Sequence, residues 1–295
     1  MNLGGLIKPE YLCQPRNIFR RMRARKLRQG AVPMRVRTWC GFDMNVQPGE
    51  VIGESLCSFG VYDLVEAEMT WRLLVSGDVA LDLGANIGFS TLLMALRVGE
   101  GGRVEAFEPM PEVYKDLQAN VKLFEQTHRG GKITLHPVAV SDKAGVATFV
   151  LPSFFARNRG IGHLAHVPPT AEESGFPVEL VRLDDVLKDA PRVALMKVDV
   201  EGHEAAVFAG AEAMLKSGRI QTIIFEENSP YPAPSHRVLE QLGYSIFRLW
   251  KHFFGPALLP RDTPLNSPWE PPNYIATKDV ATIQATAAKR GWNVL

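Results

Sequence analysis

The stretch Val79-Ala80-Leu81-Asp82-Leu83-Gly84-Ala85-Asn86-Ile87-Gly88-Phe89-Ser90 decides the fold. Val79 to Leu83 is a short apolar run bounded by Gly77-Asp78, which are the length and flanks of a buried strand. Gly84 and Gly88 stand where a chain leaving a parallel strand must turn sharply and let a ligand approach its backbone. Beyond them Phe89, Leu92, Leu93 and Leu96 recur at helical spacing, so a helix N-terminus with free N–H groups faces the turn. Strand, glycine turn and helix start together read as a nucleotide-type site.

Outward from this stretch the pattern alternates. Downstream it predicts strands at 103–107, 133–140, 194–198 and 221–225, with helices at 88–98, 111–124, 203–217 and 234–242. Strands at 244–249 and 273–277 follow. The region 141–180 is irregular, with edge strands expected at 146–151 and 178–183. Upstream, 62–75 has helical spacing, and 31–52 alternates as a hairpin around Cys40-Gly41. The expected architecture is α/β and Rossmann-like: a mostly parallel sheet with helices on both faces. The expected division is a basic arm and hairpin over 1–60, a main domain over 61–280 and a tail over 281–295. In such a sheet ligands bind beyond the carboxyl ends of the strands. The chemistry-bearing residues do fall just after strands: Asp82 and Gly84, Glu108, Ser141 and Asp142, Asp199 and Glu201, Glu226.

Composition narrows the class. With 46% hydrophobic and 22% charged residues, the chain belongs with soluble globular proteins. No run approaches the roughly 20 apolar residues of a membrane helix. The three cysteines, Cys13, Cys40 and Cys57, lack metal-ligand spacing, and a reduced, cytoplasmic setting is expected. The net charge of +1 hides an asymmetry: residues 1–30 carry eight Lys/Arg against one Glu. The cluster Arg16, Arg20, Arg21, Arg23, Arg25, Lys26 and Arg28 reads as a solvated helix or arm, or as a weak contact with an anionic membrane surface or a phosphate-bearing partner. Phe19 is the lone aromatic inside it, which argues against specific nucleic-acid binding.

Glu108 ends the second strand, 24 positions beyond Gly84, where an acidic side chain accepts hydrogen bonds from ribose hydroxyls. NAD and S-adenosyl-L-methionine both satisfy that. The turn is Gly84-x-x-x-Gly88 rather than GxGxxG, and Asp82 sets a negative charge beside it. A pyrophosphate is repelled there, whereas a sulfonium with an amino-acid tail is tolerated.

On the segments Leu81–Gly88 (LDLGANIG), Val104–Pro109 (VEAFEP), Val138–Asp142 (VAVSD), Leu183–Asp185 (LDD), Lys197–Glu204 (KVDVEGHE) and Ala209–Glu212 (AGAE), the chain resembles the FkbM family of S-adenosylmethionine-dependent methyltransferases. The resemblance spans about residues 62–250. It implies a class I methyltransferase fold with a seven-stranded sheet whose last strand is antiparallel. It implies O-methylation of a hydroxyl on a sugar or other small natural-product acceptor, with S-adenosyl-L-methionine as cofactor. It assigns Asp82, Gly84, Asn86 and Gly88 to the methionine part of the cofactor, Glu108 to the ribose, and Ser141 and Asp142 to the adenine side. Asp199, Glu201 and His203 are placed on the acceptor side. In the family an aromatic residue often stands at the position of His203, and His is a common variant there.

Methyl transfer to an alcohol needs in-line alignment and a base. His203 is the first candidate, for its near-neutral intrinsic pKa; Asp199 and Glu201 are the alternatives. The plainer readings are a helix-start histidine, an N-cap aspartate and a dipole-favoured glutamate. A divalent metal on Asp199, Glu201 and Glu226 or Glu227 fits loosely and is not expected. Asn228-Ser229-Pro230-Tyr231 resembles the signature of amino-group methyltransferases but follows the fifth strand rather than the fourth, and reads as a loop. The segment 153–169 (SFFARNRGIGHLAHVPP) is expected to cover the acceptor. Competing readings are an NAD-dependent oxidoreductase and an inactive methyltransferase-like binding module.

Overall fold

The computed structural model describes residues 8–27, 32–151, 162–164, 174–188, 190, 192–264 and 272–295. Helices α1 (Pro9–Leu12) and α2 (Arg16–Leu27) precede a hairpin of β1 (Met34–Arg37) and β2 (Asp43–Val46), then α3 (Val51–Phe59) and α4 (Leu64–Leu73). Next come β3 (Val79–Leu83), α5 (Phe89–Val98), β4 (Arg103–Phe107), α6 (Pro111–Thr127) and β5 (Lys132–His136). Four short strands follow: β6 (Ala139–Val140), β7 (Gly145–Leu151), β8 (His163–Leu164) and β9 (Ser174–Val181). The chain continues through α7 (Leu183–Val186), β10 (Val193–Val198), α8 (Glu204–Gly210), α9 (Glu212–Lys216), β11 (Ile220–Glu226) and α10 (Pro234–Gln241). It closes with β12 (Ser245–His252), β13 (Gly255–Pro260), β14 (Asn273–Thr277) and α11 (Val280–Ala287).

The main sheet runs β13-β12-β14-β11-β10-β3-β4-β5. β11, β10, β3, β4 and β5 pair in parallel, and β14 inserts antiparallel between β11 and β12. This is the expected seven-stranded arrangement with an antiparallel last strand, extended by an eighth edge strand, β13, that folds back on β12. Chain order reverses between β3 and β10, so the crevice for a ligand opens where these two neighbours end. Both strands are apolar on one face, where Val79, Leu81, Leu83, Met196 and Val198 pack with α8–α10. On the other face Ala80 and Leu195 join α4, α5 and α6 in a second core.

Three local expectations change. The third strand, expected over 133–140, divides at Pro137, which has no N–H for a ladder. β5 stays in the main sheet, while β6 pairs with β9 in a separate sheet, β6-β9-β7-β8. The edge strands expected at 146–151 and 178–183 are the β7/β9 pair of that small sheet. The helix expected over 203–217 is two helices. Asp184 accepts from Ala213 N and Met214 N, both at 2.9 Å, so α9 acquires its own N-terminal cap.

The segment before residue 61 shares the main core. Phe42 packs against Phe89 and Phe124, and buried Asn120 bonds Asn45 N, Asn45 O and Ile87 O. Within the basic cluster, Arg20 lies over Trp39 and Arg21 bonds the Tyr11 hydroxyl. The tail is tied in as well: Asn293 N and Nδ2 each donate to the buried Glu68 carboxylate at 2.6 Å. No helix among the described residues is long and apolar enough to cross a membrane.

Candidate active site

The β3–α5 turn is built by backbone constraint. Gly84 has φ +79°, and a Cβ there would sit 1.9 Å from the Asp199 carbonyl oxygen, so the turn lies directly against the end of β10. Gly88, at φ +98°, is the N-cap of α5. Between them Asn86 holds φ 50° and accepts from Ile87 N at 2.8 Å, a local bond that suits asparagine to this conformation. Buried Glu108 spans the gap to β4: its two carboxylate oxygens accept from Asn86 N and Met110 N, both at 2.9 Å. Burial pushes the Glu108 carboxyl up to about 7, against the pull of these two bonds. Asp82 is fully buried. Its Oδ2 accepts from Thr91 Oγ1 at 2.5 Å, and its Oδ1 has no hydrogen-bond partner among the described residues.

Opposite Asp82 in the β3/β10 register stands Lys197. Its Nζ lies 3.6 Å from Asp82 Oδ1, 3.4 Å from Asp199 Oδ2 and 3.4 Å from the Gly84 carbonyl. Burial alone would favour the neutral amine, but Asp199, Asp82 and Glu66 outweigh it and hold Lys197 well above its ordinary value.

Acidic groups gather where β10 and β11 end. Burial, then Asp199 and Glu204, push Glu201 up to about 7. Burial, then Asp199, Glu201 and Asp63, push Glu226 up to about 8. Glu66 on α4 rises to about 8, through burial that Lys197 only partly offsets; it accepts from Ser90 Oγ at 2.8 Å. The loop is pinned from beneath by buried Glu204, which accepts from Gly202 N at 3.1 Å. Among the described residues, Asp63, Asn86 and Glu201 are the non-glycine residues with positive φ, and all three belong to this region. Strained backbone of that kind concentrates at functional sites.

The structure sorts the sequence-predicted residues into three groups. Asp82, Gly84, Asn86, Gly88 and Glu108 form the turn. Asp199 and Glu201 join the acidic mouth; Asp199 pairs with Lys197, and the N-cap of α8 is His203. Ser141, Asp142 and His203 form a third group. Ser141 Oγ donates to Asp142 Oδ1 at 3.0 Å and lies 2.9 Å from His203 Nε2. A hydroxyl has one proton to give, so in this arrangement Nε2 carries its own and donates. His203 is thereby bonded to a residue read as adenine-side rather than standing apart from it.

Lys197, Glu66 and Asp63 escaped the sequence reading. A lysine inside the apolar run 193–198 was the available signal, since a charge in a buried strand requires partners. Asn228-Ser229-Pro230-Tyr231 is a loop anchored on Glu227, which accepts from Ser229 N at 2.8 Å. Of 153–169, all but 162–164 lie outside the described residues; His163–Leu164 there pair with β7. Among the described residues no three His, Cys, Asp or Glu side chains gather as a metal cage.

A doubly wound sheet with a glycine turn at its switch point, and with β14 inserted antiparallel between β11 and β12, is the class I methyltransferase fold. Within it, residues 82–246 match the methyltransferase FkbM domain, and the chain belongs to that family. It is 34% identical over 165 residues to the 31-O-demethyl-FK506 methyltransferase FkbM of Streptomyces tacrolimicus, covering 46% of this chain and 60% of that protein. Methyltransferase 1 of Beauveria bassiana (strain ARSEF 2860) is 28% identical over 148 residues, covering 45% and 57%. The chain thus spans less than two thirds of the length of these relatives. Among solved structures, the methyltransferase FkbM of Methylobacillus flagellatus KT aligns at 17% identity and TM-score 0.42, covering 70% of this chain and 47% of that one.

Proposed function

We propose that the chain transfers a methyl group from S-adenosyl-L-methionine to a hydroxyl oxygen of a small acceptor, such as a sugar or other natural product. The observation that carries this reading is the juxtaposition at the β3/β10 switch. A buried carboxylate with an unpartnered oxygen, Asp82 Oδ1, lies on one side of Lys197, and a group of carboxylates with raised proton affinity lies on the other.

The residues fit the donor. Asp82 Oδ1 is an orphaned acceptor for an ammonium group, and the missing Cβ of Gly84 leaves the backbone open beside it. Glu108 spends one hydrogen bond on each oxygen and keeps lone pairs for a ribose diol. When bound, the donor supplies a methyl group on a good sulfur leaving group, so alignment is the protein's main contribution. The chain's part is to hold the acceptor hydroxyl at the mouth and take its proton. Glu226 and Glu201 suit that task, because a carboxylate whose pKa is raised toward neutrality is a better base at working pH. His203 remains a candidate through Nδ1.

Thermal shift with S-adenosylhomocysteine and with NAD tests the class, because a native-state ligand stabilises by mass action. A shift with the former alone supports the proposal; a shift with NAD alone overturns it in favour of hydride chemistry. An acceptor screen with labelled methyl donor then separates transferase from inactive module. The basic cluster is proposed to touch anionic lipid only weakly, since Arg20 and Arg21 are folded back onto aromatic rings.

A further inference from the structure

We propose that Lys197 is a positioning residue that serves both subsites as one shared counter-ion, holding Asp82 in place for the donor's ammonium and Asp199 in place beside the acceptor. The inference rests on the donor-and-acceptor reading of the two sides.

An ammonium has three protons, and three acceptors face Lys197: Asp82 Oδ1, Asp199 Oδ2 and the Gly84 carbonyl. They belong to the donor-side strand, the acceptor-side loop and the turn between them. The distances, 3.4–3.6 Å, are long for charge-assisted bonds, so the cation is shared rather than committed to one partner. Asp82 Oδ1 has no other partner among the described residues, and the Asp82 side chain has no solvent exposure. Its charge is therefore compensated by Lys197 and by the Thr91 hydroxyl on its other oxygen. Glu66 and Tyr62 face the same ammonium from the α4 side, with Asp63, Glu108, Glu201 and Glu226 around them. Asp82 Oδ1 and Asp199 Oδ2 are thus held by the same ammonium, and without it Asp82 loses the contact that sets its carboxylate for the donor.

The test is isothermal titration of S-adenosylhomocysteine into the wild-type chain and its variants at pH 7. Lys197→Met should bind about tenfold weaker or worse, the scale of a lost charge-assisted contact. Lys197→Arg, which keeps the charge, should restore most of the pH 7 affinity. Should Lys197→Met fail to fold, Asp82→Asn/Lys197→Met leaves a neutral pair of similar size and should bind weakly.

Undiminished binding by Lys197→Met at pH 7, or by the double variant, would overturn the proposal. An equal loss for Lys197→Arg and Lys197→Met would assign the lysine a purely structural role and overturn the proposal. A wild-type chain that does not bind S-adenosylhomocysteine at all would overturn the donor reading as well, so the two failures are distinct.

Discussion

Replacing Gly84 by alanine tests how closely the turn is pressed to the end of β10. A Cβ at Gly84 would lie 1.9 Å from the Asp199 carbonyl oxygen, a backbone atom with no rotamer to escape through. Restoring an ordinary contact moves the two segments apart by about 1.5 Å, an overpacking that costs about 1–3 kcal/mol. The φ of +79° adds about 1–2 kcal/mol for an L-residue. The sum is about 2–5 kcal/mol, or a fall in Tm of about 4–10 °C at roughly 2 °C per kcal/mol for a chain of this size. Gly77→Ala is the control: its φ is +92° but nothing lies within 4 Å of the added Cβ. It should lose only the backbone share, about 1–2 kcal/mol. Function should separate the two further. Moving Asp199 and Gly84 apart disturbs the Lys197 contacts, and a 1 Å error in a site of this kind costs about 100-fold. Urea unfolding together with titration of S-adenosylhomocysteine measures both effects. Equal destabilisation of the two variants, with unchanged affinity in Gly84→Ala, would refute the close approach and the siting of the donor beside it.

Other variants probe separate parts. Asp82→Ala and Glu108→Ala should each abolish detectable binding of S-adenosylhomocysteine by calorimetry, since each removes a distinct acceptor. His203→Ala should slow methyl transfer with little change in that affinity; the opposite pattern would make His203 an adenine-side residue acting with Ser141. Acceptor turnover should rise with pH through about 7–8 as the Glu201 and Glu226 pair, raised chiefly by burial, ionises; a flat profile would exclude both as base. The same raised carboxylates hold protons more tightly folded than unfolded. The free chain should therefore lose stability as pH climbs from their unfolded value of about 4.5 to their folded values, with no further loss above, as chemical denaturation at each pH would reveal. Asn120→Ala should cost about 2–4 kcal/mol in urea unfolding, because it strands Asn45 N and the Ile87 carbonyl in the core.

By itself the sequence determined the sheet's order of construction. Apolar runs at 79–83, 103–107, 194–198 and 221–225 each end on a glycine or an acid, and that is a local signal of length, period and terminator. It also determined the turn, because Gly84, Asn86 and Gly88 are residue types that tolerate the positive φ they adopt. Tertiary structure alone decided which residues meet across the switch point. Lys197 faces Asp82 because β10 inserts beside β3 in one register, a pairing across more than 100 positions that no local pattern encodes. Asp63 and Glu66 reach the same ammonium and acids because α4 packs over that face of the sheet. His203 was legible as a histidine at a helix start, but its partner was not, since Ser141 ends a strand that left the main sheet at Pro137. Periodicity specifies which face of each element is buried; the charges of the site acquire their roles only when separate elements bring them within a few ångströms in a medium that screens them poorly.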